Sequence, residues 1–147
     1  MDIRPITPDF SAAPQITVAE VAEAARRGFR TLICNRPDGE EPGQPDFAEI
    51  EKAARDAGIA VHYMPISNAV GLTATTVDAM ADLLATAEGP VLAFCRSGTR
   101  STLAWGMAMA AKDDPETLIR AAATAGYDLT PLRPAMEARQ ATNRGPA

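Results

Sequence analysis

The chain has 147 residues, 46% of them hydrophobic and 22% charged, which fits one globular domain long enough to bury a real core. A formal net charge of -5 stands against nucleic acid as a partner, because phosphate backbones are bound by basic surfaces. No run of about 18 apolar residues is present for a membrane span, and two cysteines are too few for a disulfide framework. The first residues lack a basic stretch followed by an apolar run, so a cytoplasmic, reducing setting is expected. One histidine and two distant cysteines do not make a tetrahedral set, so neither a metal nor a cofactor is expected.

Pro5, Pro8 and Pro14 exclude a long helix at the start and leave room for short strands at Ile3–Ile6 and Ala13–Ile16. Thr17-Val18-Ala19-Glu20 has the pattern of a capping box, and Val18, Val21, Ala22 and Ala25 follow at helical spacing until Gly28. Phe29–Cys34 reads as a buried strand that empties into the turn-rich Asn35–Glu41 loop. Asp46 opens a second helix through Ile50, Ala53, Ala54 and Ala57, stopped by Gly58. Ile59–Met64 is the next strand. It holds His62, the lone histidine, whose position gives no reason to pair it with a cysteine. Thr73–Ala87 reads as a helix with Val77, Met80, Ala81 and Leu84 inward, and Gly89-Pro90 ends it.

Val91–Phe94 is an apolar strand, and Cys95 follows at once. Arg96, Ser97, Gly98, Thr99 and Arg100 form a short loop before a helix that starts near Ser101. A strand that passes through a tight loop into a helix N-terminus is a natural anion site. Loop amides converge there, and the helix dipole adds roughly half a positive charge. Gly98 lets the loop close, and the planar fork of Arg100 matches a tetrahedral oxyanion. That setting favours thiolate over thiol, so Cys95 reads as a nucleophile and Arg100 as its anion clamp. Arg96, Ser97, Gly98, Thr99 and Ser101 complete the anion-binding loop. The reading requires the guanidinium beside the sulfur and the sulfur open to solvent. The following helix, to Lys112, is apolar nearly all round and should be central. Asp114-Pro115 starts another, with Leu118, Ile119 and Ala122 inward, and Pro131–Gln140 a last short one.

Strands alternating with helices indicate an α/β fold: a parallel or mixed sheet of four or five strands flanked by helices. Ligands gather at the carboxyl ends of parallel strands, so the Asn35–Glu41 loop should stand beside the Cys95 loop. Arg36 and Asp38 then become candidates for supporting the site, and Cys34 reads as core filler.

The segment Cys95-Arg96-Ser97-Gly98-Thr99-Arg100-Ser101 is similar to the active loop of cysteine phosphatases and of rhodanese-type sulfurtransferases. With Gln15-Ile16-Thr17, Gly28–Ile33 and Asn35-Arg36-Pro37-Asp38-Gly39-Glu40, the chain resembles one family in particular from about Ile3 to Ala111. That family is the phosphatase-like domain of β-lactamase-hydrolase-like proteins, relatives of the dual-specificity phosphatases. The resemblance implies a single phosphatase-like domain, taken here as residues 1–140, while the C-terminal residues 141–147 read as a flexible tail. It also implies a link to sulfide detoxification, with a metallo-β-lactamase-like persulfide-oxidising enzyme as a partner.

Two chemistries fit Cys95, with a small anion or a persulfide as substrate. Sulfur transfer through a persulfide on Cys95 is preferred here, because Cys95 and Arg100 are separated by four residues, as in rhodanese-type enzymes. Typical cysteine phosphatases have one residue more. The loop Ile66–Gly71 also lacks the aspartate that protonates the leaving oxygen in dual-specificity phosphatases, and Phe94 stands where their histidine precedes the cysteine. Thiolates leave readily without an acid. The alternative is phosphomonoester hydrolysis through a phosphocysteine on Cys95. A further alternative is a non-catalytic anion-binding or thiol-redox module.

Overall fold

The structure is a computed structural model and describes residues 1–143. Its elements are β1 (Arg4–Thr7), β2 (Phe10–Ala13), α1 (Val18–Arg26), β3 (Thr31–Cys34), α2 (Phe47–Ala57), β4 (Ala60–Tyr63), α3 (Ala74–Thr86), β5 (Val91–Phe94), α4 (Thr99–Met109), α5 (Pro115–Thr124), a 3-10 turn (Thr130–Leu132) and α6 (Arg133–Asn143). The five strands lie in the order β1-β2-β5-β3-β4. Only the β1–β2 pair is antiparallel; β2, β5, β3 and β4 run parallel. This is the expected mixed α/β sheet, with β5 in the middle.

Side-chain alternation in the central strands divides the interior in two. Leu92 and Phe94 of β5, with Leu32 and Cys34 of β3, face a core shared with Val21, Ala24, Ile50 and Ala54 of α1 and α2. Val91 and Ala93, with Ile33, face the opposite core, where Met80, Trp105, Leu118 and Met136 of the remaining helices pack. Strands buried on both faces are near-continuous apolar runs, which is why β3 and β5 are legible as strands. Each fully buried Leu or Phe contributes roughly 1.5–3 kcal/mol, so this strand pair is the firmest part of the scaffold.

The helix starts follow the expected capping chemistry. Thr17 Oγ1 accepts the Glu20 amide at 3.1 Å, and Glu20 Oε1 accepts the Thr17 amide at 2.8 Å. Glu49 Oε2 likewise accepts the Asp46 amide at 3.1 Å. Asp114 Oδ2 caps α5 through the Thr117 amide at 3.2 Å, with Pro115 at the first helical position.

Some expectations shift. The second strand is Phe10–Ala13 rather than Ala13–Ile16, because its partner residues on β5 run from Val91 to Phe94 and Ala13 is already level with the end of β5. Val18 is 44% exposed, and the buried stripe of α1 is Val21 and Ala24. The helix after the Cys95 loop begins two residues early, at Thr99. α6 continues to Asn143, into the segment expected to be a tail; residues 144–147 of that expectation lie outside the described residues. No helix among the described residues is long and apolar enough to cross a membrane.

Candidate active site

The parallel strands end level with one another. Phe94 of β5 is in register with Ala13 of β2 and Cys34 of β3, and Cys34 with Tyr63 of β4. The loops that leave these strands therefore meet at one edge of the sheet. Backbone bonds stitch them together: the Asn35 amide donates to Phe94 O at 2.8 Å, the Ile66 amide to Asn35 O at 2.9 Å, and the Gln15 amide to Arg96 O at 3.3 Å.

The Cys95 loop closes on its own sulfur. The Gly98 amide donates to Cys95 Sγ at 3.1 Å. Gly98 has φ +92°, a left-handed conformation, and a Cβ there would sit 2.1 Å from Tyr127 Oη. Only glycine fits. Tyr127 Oη in turn donates to Ser97 O at 3.0 Å, so the α5–α6 connection props the loop from outside. Burial raises the Tyr127 phenol above its ordinary value and keeps it a donor. α4 begins at Thr99, so the amides of its first turn have no intrahelical acceptor and face the loop. Thr102 Oγ1 fixes the turn by donating to Gly98 O at 2.8 Å.

Arg100 is buried and its fork is engaged. Nη1 and Nη2 donate to the two Glu40 carboxylate oxygens at 2.7 and 2.8 Å, and Nη1 also reaches Ile66 O at 2.7 Å. The bonds to the Glu40 carboxylate, and after them the charge of the Cys95 sulfur, raise the Arg100 guanidinium above its ordinary value. The guanidinium is held by Glu40, a partner that the sequence did not suggest. Arg36 is 3% exposed; its Nε donates to Glu40 Oε1 at 2.9 Å and its Nη1 to Gln15 Oε1 at 3.1 Å. With Arg100 and Arg36 both donating, the Glu40 carboxyl is held down to about 2.

The second geometric requirement is not met. Cys95 has no solvent exposure. The sulfur that accepts the Gly98 amide is buried, so a substrate reaches Cys95 only when the atoms around it shift. Arg96, Ser97 and Thr99 are exposed. Arg96 points outward to Glu41 Oε1 at 2.8 Å, and Ser97 Oγ bonds Thr99 Oγ1 at 3.0 Å. Asp38 sits away from the sulfur: its Oδ1 accepts the Phe47 amide at 2.8 Å and its own amide donates to Tyr63 Oη at 3.0 Å, which fixes the loop to α2 and β4. Cys34 is core filler as expected; burial pushes its thiol up to about 12, and its Sγ lies 3.4 Å from Arg36 O.

Buried polar groups without partners collect here. Among the described residues four buried side-chain atoms lack a hydrogen bond, and three of them are Asn35 Oδ1, Arg36 Nη2 and Ser101 Oγ. Such groups are rare in folded proteins. A groove of about 640 Å³ between α3, α4 and α6, lined by Leu72, Val77, Met107, Leu132 and Arg139, includes none of the loop residues. No three His, Cys, Asp or Glu side chains converge for a metal among the described residues.

Glu40, Gln15, Ile66 and Tyr127 escaped sequence reasoning as site residues. The signal available for Glu40 was its place in the loop leaving β3; for Tyr127 there was none.

A cysteine at a strand end, curled into a loop against a helix N-terminus with an arginine beside it, defines a phosphatase-like α/β domain. The chain belongs to the family of the phosphatase-like domain of beta-lactamase hydrolase-like proteins, whose model matches residues 2–112. A beta-lactamase hydrolase-like protein of Xylella fastidiosa (strain Temecula1 / ATCC 700964) is 37% identical over 107 residues, which cover 73% of this chain and 25% of that protein. The chain thus spans about a quarter of the length of the curated relatives it matches. A candidate phosphatase from Neisseria meningitidis z2491 superposes with a TM-score of 0.80 at 38% identity, over 95% of this chain and 99% of that one. The core catalytic domain of a PP-IP phosphatase from S. cerevisiae shares the fold alone, with a TM-score of 0.66 at 12% identity over 93% of this chain and 84% of that one. None of these relatives is named a sulfurtransferase. The comparisons back the phosphatase alternative, and the preference for sulfur transfer drawn from loop spacing finds no support in them.

Proposed function

We propose that this domain is a cysteine-dependent phosphomonoester hydrolase that works through a phosphocysteine on Cys95. The observation that carries the reading is the closed loop itself. The Gly98 amide lies 3.1 Å from Cys95 Sγ, at the N-terminus of α4, inside a segment that matches a phosphatase-like family. Amides that already face a sulfur are preorganised for the oxygens of a phosphoryl group bound to it.

In the first step the Cys95 thiolate attacks phosphorus, an S–P bond forms and the ester P–O bond breaks. The electron pair leaves with the ester oxygen, which takes a proton from water. In the second step water attacks phosphorus, the S–P bond breaks, orthophosphate departs and the thiolate returns. Arg100 stabilises the equatorial charge in both steps, which requires its fork to turn from Glu40 to the phosphoryl oxygens. The segment Ile66–Gly71 brings a backbone carbonyl to Arg100, not a carboxylic acid. Aryl esters, whose leaving groups need no proton, are therefore the expected best substrates.

The test is turnover of para-nitrophenyl phosphate by the purified chain. Turnover that disappears in Cys95→Ser and falls at least about a hundredfold in Arg100→Ala supports the reading. Equal turnover by wild type and Cys95→Ser refutes it. The four-residue spacing between Cys95 and Arg100, the absence of a carboxylic acid from Ile66–Gly71 and Phe94 before the cysteine stand on the side of sulfur transfer. A gain of one sulfur on Cys95 from thiosulfate, with no ester turnover, reverses the choice.

A further inference from the structure

We infer that the site has a second anion subsite beside the Cys95 loop, built by Arg36 and Arg96, and that its substrates carry a second anionic group close to the scissile phosphoryl. The inference rests on the phosphatase reading and narrows its substrate class.

Three guanidiniums and two carboxylates alternate across the mouth of the site. Glu40 joins Arg100 and Arg36, as described above. Glu41, the next residue, joins Arg96 and Arg36: its Oε1 is 2.8 Å from Arg96 Nη2 and 3.5 Å from Arg36 Nη2. The charge of the cluster is a net single positive, concentrated in a chain of formal charge -5. Two consecutive carboxylates thus hold the positions that two anionic groups of one ligand would take.

The two halves differ in how tightly they are held. Glu40 is 21% exposed and receives charge-assisted bonds from both of its arginines. Glu41 is 43% exposed and its partner Arg96 is 68% exposed, so water screens that pair and it stabilises little. Arg36 is the decisive group. It is 3% exposed, and its Nη2 is buried without a hydrogen-bond partner among the described residues. A buried guanidinium N–H that lacks an acceptor, 3.5 Å from a displaceable carboxylate, is a donor waiting for a better anion. A second phosphoryl or a carboxylate of the substrate displaces Glu41, bonds Arg36 Nη2 and pairs with Arg96, while the scissile phosphoryl takes Arg100. One buried charge-assisted bond is enough for about tenfold in affinity or more.

Titration calorimetry on the Cys95→Ser chain, which holds anions without turning them over, tests this with orthophosphate, pyrophosphate and phosphoglycolate. Pyrophosphate is expected to bind at least about tenfold more tightly than orthophosphate. Phosphoglycolate distinguishes the source of the second charge: tight binding admits a carboxylate, and weak binding confines the subsite to phosphoryl groups. The pyrophosphate preference is expected to fall severalfold in Arg96→Ala, which leaves Arg36 in place, and to rise in Glu41→Gln. It is expected to persist in Arg27→Ala, which removes the same charge at the end of α1, where Arg27 pairs with Glu23. A preference absent from the starting chain, or one that Arg96→Ala and Arg27→Ala lower alike, overturns the subsite and leaves the phosphatase reading standing. Failure of all three anions to bind, with no ester turnover by wild type, overturns both.

Discussion

Glu40→Gln tests the ion-pair bridge between the two site loops. The substitution keeps the shape of the side chain and removes its charge. Glu40 joins Arg36, four residues on its N-terminal side, to Arg100, sixty residues away, so the pair ties the loop after β3 to α4. Its carboxyl falls from 4.5 to about 2, chiefly through the hydrogen bonds from Arg100 and then against the opposing effect of burial. That depression corresponds to on the order of 3 kcal/mol, an upper figure because a fifth of the side chain is open to water. The folded-state value is depressed, so this stability is fully present above pH 4.5 and is lost as the pH falls toward about 2. Urea unfolding followed by Trp105 fluorescence reads it, urea being uncharged. Glu40→Gln is expected to lose about 2–3 kcal/mol at pH 7 and under half of that at pH 3. A loss below about 0.5 kcal/mol at pH 7, or an equal loss at both pH values, refutes the reasoning, because the charge would then not be the source.

Other outcomes follow from the loop and its supports. Gly98→Ala places a Cβ 2.1 Å from Tyr127 Oη at φ +92°, so it is expected to destabilise the chain by about 2–4 kcal/mol in the same unfolding assay. Adding Tyr127→Ala should recover part of that loss; no recovery would mean that the hydroxyl is not the obstacle. Tyr127→Phe removes the bond to Ser97 O and should cost about 1 kcal/mol or less while lowering kcat for para-nitrophenyl phosphate severalfold; unchanged kcat would show that the loop does not need the prop. Burial holds the Cys34 thiol up to about 12, so iodoacetamide at pH 8 should leave the Cys34 peptide unlabelled until urea is added. Labelling at the unfolded-chain rate would contradict its place in the core.

The scaffold was readable in the chain wherever local chemistry sets the outcome. Thr17 and Glu20 carry both halves of a capping box and form both bonds. Val91–Phe94 and Leu32–Cys34 are apolar runs because both faces of β5 and β3 are covered. Val18 misled because helical spacing alone does not say which of two adjacent stripes meets the sheet; Ala24 is buried and Val18 is not. The Cys95 loop was legible because Cys95, Gly98 and Arg100 lie within six residues. Its partners were not. Glu40 looks like one more charge in a polar turn, and only the fold sets it against a guanidinium sixty residues away. Asp38 has the same appearance, yet its carboxylate accepts a helix amide rather than supporting the site. The burial of Cys95 is likewise a property of how the loop closes, which no spacing reveals.

Rapid acid quenching of the wild-type chain with excess para-nitrophenyl phosphate, followed by intact mass and peptide mapping, looks straight at the proposed intermediate. A single phosphoryl group on Cys95, formed within one turnover and absent from Cys95→Ser, is the expected result. Steady release of para-nitrophenol with no phosphorylated cysteine at any quench time, or with the phosphoryl group on another residue, would contradict the account.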